Sequence, residues 1–408
     1  MSRKKVYLNP KKEESLKRFH PWVFSGAINR IDGVPEEGEI VEIYDSRDNF
    51  LAVGHCQIGS IAVRILSFEN EEIDPDFWKK RFAVAYQLRK QAGLAENPNN
   101  NTYRLVHGEG DLLPGLIVDI YGNTAVMQAH SPGMHIERVA LAEALKAALG
   151  DVIDNVYYKS EGTLPFKADL EPENGYLIGG SPNCHCGLDP QSHDNGQEIA
   201  LENGLQFHVD WVKGQKTGFF VDQRDNRALL EKYAKGKNVL NLFGYTGGFS
   251  CYAMRGGANL VHSVDSSAKA IALTDENIAL NFPNDTRHQS FTEDAFKFMQ
   301  TMNDDYDLII LDPPAFAKHR KVLKNALQGY RKLNAVAFEK IRPGGIIFTF
   351  SCSQVVSKND FRLAVFSAAA QSGRKVKILH QLTQPADHPV NIYHPEGEYL
   401  KGLILAVE

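Results

Sequence analysis

The chain has 408 residues, more than the roughly 250–300 that one hydrophobic core serves, so two or three domains are expected. Its 43% hydrophobic and 23% charged residues are ordinary for a folded protein and exclude disorder along the whole length. A net charge of −5 speaks against a surface that binds nucleic acid everywhere, while leaving room for a local basic groove.

Five cysteines, Cys56, Cys184, Cys186, Cys251 and Cys352, are odd in number and scattered, which fits a reducing compartment better than a disulfide framework. Charged Met1–Lys5 is not followed by an apolar targeting segment. No stretch reaches the roughly 18 apolar residues of a membrane span. A cytoplasmic location is the expectation.

The N-terminus is locally basic (Arg3, Lys4, Lys5, Lys11, Lys12, Lys17, Arg18), as an RNA-facing surface or a solvated face would be. Glu39–Tyr44 and Ile61–Leu66 are rich in Val and Ile and flanked by polar turns, so residues 1–73 read as a small β-barrel. Asp74-Pro75-Asp76 opens a helix, with Trp78, Phe82, Ala85 and Leu88 at helical spacing and Gly93 at its end. Residues 74–200 then read as this linker helix and a central α+β module. Its pattern is strand–strand–helix–strand–strand: Leu116–Tyr121 and Ala125–Ala129 as a hairpin, Ile136–Leu149 as a helix, then Val156–Lys159 and Ile199–Phe207. The polar segment 181–196 interrupts it as a long loop. Cys184-His185-Cys186 lacks a second ligand pair at finger-like spacing, so no metal is expected.

Residues 201–408 change texture. Strands Val239–Phe243, Leu260–Val264, Asp307–Leu311 and Ile346–Phe350 alternate with helices Phe249–Arg255, Ala268–Asn281 and Asn325–Lys340. Repeated βα units predict an α/β domain with a mostly parallel, doubly wound, Rossmann-like sheet and ligands at the carboxyl ends of its strands.

Asn241-Leu242-Phe243-Gly244-Tyr245-Thr246-Gly247-Gly248-Phe249-Ser250 joins the first strand to its helix. Glycine there lets the backbone approach a ligand, although a plain turn would use it too. Asp265 ends the next strand about 20 residues on, where a carboxylate can accept from ribose hydroxyls or cap the following helix. Asp294, after the weak strand Arg287–Ser290, has the same two readings, with adenine as its neighbour in the first. Together these residues predict a nucleoside-containing cofactor and leave its identity open.

Two strand ends carry the chemistry. Asp312-Pro313-Pro314-Ala315-Phe316 sets an acid on a turn that two prolines stiffen. It resembles the fourth motif of class I methyltransferases that modify nucleobases. Cys352 lies past the apolar run of the next strand, between Ser351 and Ser353. A cysteine is most often a small buried hydrophobe, but this one stands at the edge where chemistry belongs. A thiolate adding to carbon-6 of cytosine makes carbon-5 nucleophilic enough to take a methyl group, splitting one hard step into two. The target base must leave its helix or come from a loop.

The match narrows further. With Thr217–Arg227 (TGFFVDQRDNR), Asp312–Phe316, Ser351-Cys352-Ser353 and the tail Ala386-Asp387-His388-Pro389, Pro395-Glu396-Gly397 and Tyr399-Leu400-Lys401-Gly402, the chain resembles the ribosomal large-subunit RNA cytosine-C5 methyltransferase family. His20-Pro21-Trp22-Val23-Phe24 resembles the entry of a PUA domain, an RNA-binding module. The resemblance covers essentially the whole chain; segment 181–196 departs from it as an insertion.

It implies S-adenosylmethionine as cofactor, enclosed by Phe220, Asp222, Gln223 and Arg224 together with Asn241, Phe243, Gly244, Tyr245, Thr246, Gly247, Gly248, Ser250, Asp265, Asp294 and Asp312. It implies Cys352 as nucleophile, Asp312 at the base edge, and Glu396 (or Glu398) as the group that removes the carbon-5 proton, although both glutamates could be exposed loop acids. The position where related enzymes keep a second cysteine is Pro314, so one cysteine must suffice. Ribosomal RNA of the large subunit or a subunit intermediate is the expected partner, with Pro313, Pro314, Phe316, Lys318 and Arg320 on its path and a homodimer left open. A guanine-N7 methyltransferase of the same fold, which needs no thiol, and a non-catalytic assembly protein are the alternatives.

Overall fold

A computed structural model describes residues 3–165, 170–180, 197–303 and 305–408. The chain forms two units. The first comprises residues 1–200, 209–219 and 386–397, and the second residues 201–208, 220–385 and 398–408.

The first unit begins with β1 (Lys4–Leu8), the short α1 (Glu14–Lys17), β2 (Trp22–Phe24), β3 (Ile28–Asp32), β4 (Ile40–Tyr44), β5 (Phe50–Cys56) and β6 (Ile61–Ser67). The strands form one sheet in the order β2-β6-β5-β4-β1-β3. Alternation along β4 turns Val41 and Ile43 inward, where they meet Val6, Leu8, Val23, Val63 and Ile65. α2 (Pro75–Gln91) follows, with the Asp74 carboxylate accepting from Phe77 N at 2.8 Å, Pro75 at its first position and Gly93 left-handed beyond its end.

The central sheet is larger than its sequence pattern suggested. It runs β11-β10-β9-β8-β7, where β7 is Thr102–His107, β8 Leu116–Tyr121, β9 Thr124–Ala129, β10 Asn155–Lys159 and β11 Asn174–Ile178. Helix α4 (Arg138–Leu149) lies where the helix over 136–149 was expected, and the short α3 (Pro132–Ile136) precedes it. Strand 199–207 is two, β12 (Gln197–Glu202) and β13 (Leu205–Asp210). Asn203 and Gly204 between them are both left-handed (φ +49° and +80°), the backbone of a two-residue hairpin turn.

Residues 386–397 leave the second unit to pack in the first. The Asp387 carboxylate accepts from Arg104 N at 3.0 Å, and its carbonyl accepts from fully buried Arg89 at 2.9 Å. Thr217, in the other returning segment, donates to buried Asp119 at 2.6 Å.

The second unit contains α5 (Arg224–Ala234), β14 (Asn238–Leu242), α6 (Gly248–Arg255), β15 (Leu260–Asp265), α7 (Ala268–Asn281), β16 (His288–Thr292), α8 (Ala295–Thr301), β17 (Leu308–Leu311), α9 (Leu323–Lys340), β18 (Gly345–Ser351), α10 (Lys358–Ser372), β19 (Val376–Leu382) and β20 (Lys401–Val407). The sheet order is β16-β15-β14-β17-β18-β20-β19. Strands β14 to β18 pair in parallel, and β20 runs antiparallel between β18 and β19. Leu240, Leu242, Ile309, Leu311 and Ile347 are fully buried, as the strands of a doubly covered sheet must be.

Candidate functional site

Chain order reverses between neighbours β14 and β17, and a crevice beyond the carboxyl ends of such strands is where open α/β sheets hold ligands. The glycine loop leaves β14 at that point. Phe243, Tyr245 and Gly247 are all left-handed (φ +61°, +46° and +76°). For a residue with a side chain this conformation costs about 1–2 kcal/mol. A Cβ on Gly247 would lie 2.6 Å from Thr274 Cγ2, so only glycine fits there.

The neighbouring strand and helix hold the loop in this shape. Tyr245 N donates to Asp265 Oδ2 (3.0 Å), Gly244 N to the Val264 carbonyl (3.1 Å), Thr274 Oγ1 to the Tyr245 carbonyl (2.8 Å), and Asn277 Nδ2 to the Thr246 carbonyl (2.9 Å). Asp265 Oδ1 accepts from Ser267 N at 2.9 Å. The cap of α7 is Ser267, which accepts from Ala270 N, so Asp265 faces the loop instead of serving as the cap. Asn241 is fully buried, with Nδ2 donating to Ser250 Oγ (2.9 Å), which in turn bonds Ser263 Oγ (2.7 Å). Among the described residues the buried Asn241 Oδ1 has no hydrogen-bond partner. A strained loop, a carboxylate with lone pairs to spare and an orphan buried acceptor fit a nucleoside with hydroxyl and amine donors. Asp294 is exposed and caps α8, accepting from Lys297 N at 3.0 Å.

The stretch before α5 meets this loop. The Phe220 ring stands edge-on to Tyr245, with centroids 5.0 Å apart. Arg227 grips Glu202 through two bonds (2.9 and 2.7 Å) and donates to the Phe220 carbonyl (3.0 Å). Buried Arg224 lies 3.8 Å from the same carboxylate. Gly248 packs on Arg227, 3.1 Å from its Cδ to an added Cβ. Tyr399 OH donates to Asp222 at 2.7 Å, and Gln223 Nε2 to Asp312 Oδ2 at 3.0 Å. Asn226 holds Gln223 from behind at 2.6 Å.

Asp312 and Cys352 each follow their strand by one residue. Those strands, β17 and β18, are parallel neighbours, with Leu311 opposite Thr349. The two side chains are half-buried. Cys251 offers a contrast: it is fully buried, and burial pushes its thiol up to about 12. Tyr330 of α9 lies behind the pair, accepting from Ser351 Oγ at 2.9 Å and stacking on Phe316 with centroids 4.6 Å apart. Its hydroxyl is pushed up to about 12, chiefly by burial, with Cys352 and Asp312 both adding to the effect. Pro313 is buried, while Pro314, Lys318 and Arg320 are exposed.

Glu396 is not in this unit. It belongs to the first, where its carboxylate lies 3.8 Å from both His20 and His394. Glu398 pairs with Lys358 at 2.7 Å. Cys184, His185 and Cys186 lie outside the described residues, among which no cluster of three metal-binding side chains occurs.

Residues 185–398 match the S-adenosylmethionine-dependent methyltransferase family and residues 6–68 the PUA-like domain. Ribosomal RNA large subunit methyltransferase I from Alteromonas mediterranea is 38% identical over 98% of each chain, and the protein of that name from Tolumonas auensis 39% over 98% of each. The chain belongs to the ribosomal RNA large subunit methyltransferase I family. A crystal structure of SMU.776 complexed with SAH is 25% identical and superposes with a TM-score of 0.81 over 99% of this chain and 100% of that one. S-adenosylmethionine is therefore the cofactor, in agreement with the donors and acceptors around Asn241 and Asp265.

Several supports of the site escaped the sequence reading. Thr274 and Asn277 are polar residues three apart on the buried face of α7, and that breach of the apolar stripe was a usable signal. Tyr330 gave none, because an aromatic at helical spacing reads as core.

Proposed function

We propose that the chain methylates carbon-5 of a cytosine in large-subunit ribosomal RNA, with Cys352 as nucleophile. The observation that carries this is the half-buried thiol past the end of β18, beside the Asp312 turn of the adjacent parallel strand. The names of the relatives supply the RNA class.

Phe220, Asp222, Gln223, Arg224, the 241–250 loop, Asp265 and Asp294 would hold the cofactor. S-adenosylmethionine supplies an electrophilic methyl group when bound. The Cys352 thiolate bonds to carbon-6 of the base, and the electron pair displaced from the 5,6 double bond makes carbon-5 the nucleophile. After methylation the carbon-5 proton passes to solvent water, the C–H bonding pair re-forms the 5,6 double bond, and the carbon–sulfur pair returns to sulfur. Gln223 donates to Asp312 and so fixes the carboxylate that faces the base edge. Exposed Pro314, Lys318 and Arg320, with the PUA-like domain, are offered to the RNA. Among the described residues no helix is long and apolar enough to cross a membrane, and we place the reaction in the cytoplasm, where its RNA would be made.

The test is methyl transfer from labelled S-adenosylmethionine to ribosomal RNA of a strain lacking this protein, followed by nucleoside analysis. Label in 5-methylcytidine that disappears with Cys352→Ala is expected. Label in 7-methylguanosine, or undiminished transfer by the alanine variant, would overturn the mechanism.

A further inference from the structure

Lys401 begins β20, directly opposite Ser351 at the end of β18. Its side chain is buried. Nζ donates to the carbonyls of Ser353 (2.5 Å) and Val356 (2.6 Å), the two ends of the turn that follows Cys352. Among the described residues no carboxylate lies within ion-pair distance of it. A buried ammonium resting on neutral carbonyls is costly, and an apolar residue would suit the interior better, as at the neighbouring Leu400 and Leu403. Something else must favour a cation at this position.

Cys352 directly follows Ser351, the residue opposite Lys401 across the two strands, and a thiolate there would favour the ammonium, with Glu398 adding to the effect and Lys358 opposing it. Tyr330, whose hydroxyl accepts from Ser351 Oγ, is neutral at physiological pH and feels both Cys352 and Asp312. The two bonds of the ammonium clamp the turn that follows the thiol.

We infer that Lys401 is a positioning residue for Cys352, holding the 353–356 turn and supplying the fixed positive charge that favours the thiolate. This rests on the reading of Cys352 as nucleophile. The thiol gives its proton to solvent before attack, while Lys401 keeps all three of its own. When the carbon–sulfur bond breaks, the electron pair returns to a sulfur facing the same cation, so both formation and release of the adduct gain. Burial lowers the Lys401 ammonium to about 8, so its charge is present below that pH and fades above it.

The test follows alkylation of Cys352 by iodoacetamide from pH 6 to 9.5 in the full chain, with peptide mass spectrometry separating it from the other cysteines. The wild-type midpoint should lie below the ordinary thiol value of about 8.5. Lys401→Gln keeps a donor for the carbonyls but no charge. It should raise the midpoint by about one unit, a tenfold loss of thiolate at pH 7, and lower kcat with KM for RNA unchanged. Lys401→Arg should restore most of the shift. SAH binding by calorimetry, expected within threefold of wild type, reports the fold of each variant. A wild-type midpoint at or above 8.5 overturns the inference without any variant. So does a Gln variant that binds SAH and keeps the wild-type profile. Because alkylation needs no turnover, failure of Cys352 as nucleophile would appear separately, as methylation surviving Cys352→Ala.

Discussion

Replacing Asp265 by alanine tests how the cofactor loop is held. The carboxylate accepts from Tyr245 N and Ser267 N, at 3.0 and 2.9 Å. A hydrogen bond to a charged acceptor contributes about 1.5–3 kcal/mol. Tyr245 at φ +46° carries about 1–2 kcal/mol of strain that this bond helps to hold. Without it the loop relaxes, and the competent fraction falls by about 10- to 150-fold. SAH affinity should fall by that factor in titration calorimetry. Asp265→Ala combined with Tyr245→Gly removes the strain along with the bond, and should regain about 5- to 30-fold over the single variant. A double variant no tighter than Asp265→Ala would refute the strain argument and leave Asp265 as a direct ligand only. A single variant within twofold of wild type would refute both.

Three further outcomes are expected. Glu202→Gln leaves Arg227 buried without its anion and should cost about 3–5 kcal/mol in urea unfolding; a loss under 1 kcal/mol would show that the pair is dispensable. Burial holds the His55 imidazole at about 4, and among the described residues neither ring nitrogen has a hydrogen-bond partner. As pH falls below 6.5 the unfolded chain takes a proton that the folded chain refuses. Stability present above pH 6.5 is therefore lost towards pH 4, about 2 kcal/mol of it by pH 5. His55→Phe should flatten that part of the dependence, and an unchanged slope between pH 7.5 and 5 would exclude His55 as its source. Gln223→Leu should lower kcat by roughly tenfold through loss of the bond to Asp312, while SAH affinity changes less; equal losses in both would show that Gln223 acts through the cofactor alone and not through Asp312.

The second unit was legible because its strands are apolar runs closed by glycine or acid, and because βα alternation leaves few topologies. Helix 268–281 lay where the sequence put it, although its cap is Ser267 and not Asp265. The long helix Lys358–Ser372 was not foreseen, because its outward face carries Leu363 and Phe366 and so blurs the 3.6-residue period. The Asn203-Gly204 turn was present in the letters, but the apolar residues on either side read as one run. Strand β20 was not foreseen from the sequence, and its place between β18 and β19 has no local signal, since nothing in the segment itself encodes insertion between two earlier strands. For the site, Asp312 and Cys352 announced themselves by standing just past apolar runs, whereas Lys401 matters only through the register that sets it opposite Ser351.

The two segments that depart from the second unit, 209–219 and 386–397, bear on how such a protein can be inherited. Thr217 finds its acceptor in Asp119, and Asp387 its donor in Arg104, both far away in sequence. Neither unit is a continuous stretch of gene. A recombination event that moved residues 220–385 alone would carry off the cofactor loop and the cysteine but leave behind Glu202, Tyr399 and Lys401. This catalytic region therefore cannot be shuffled like a bead on a string, and it must change in concert with its flanks.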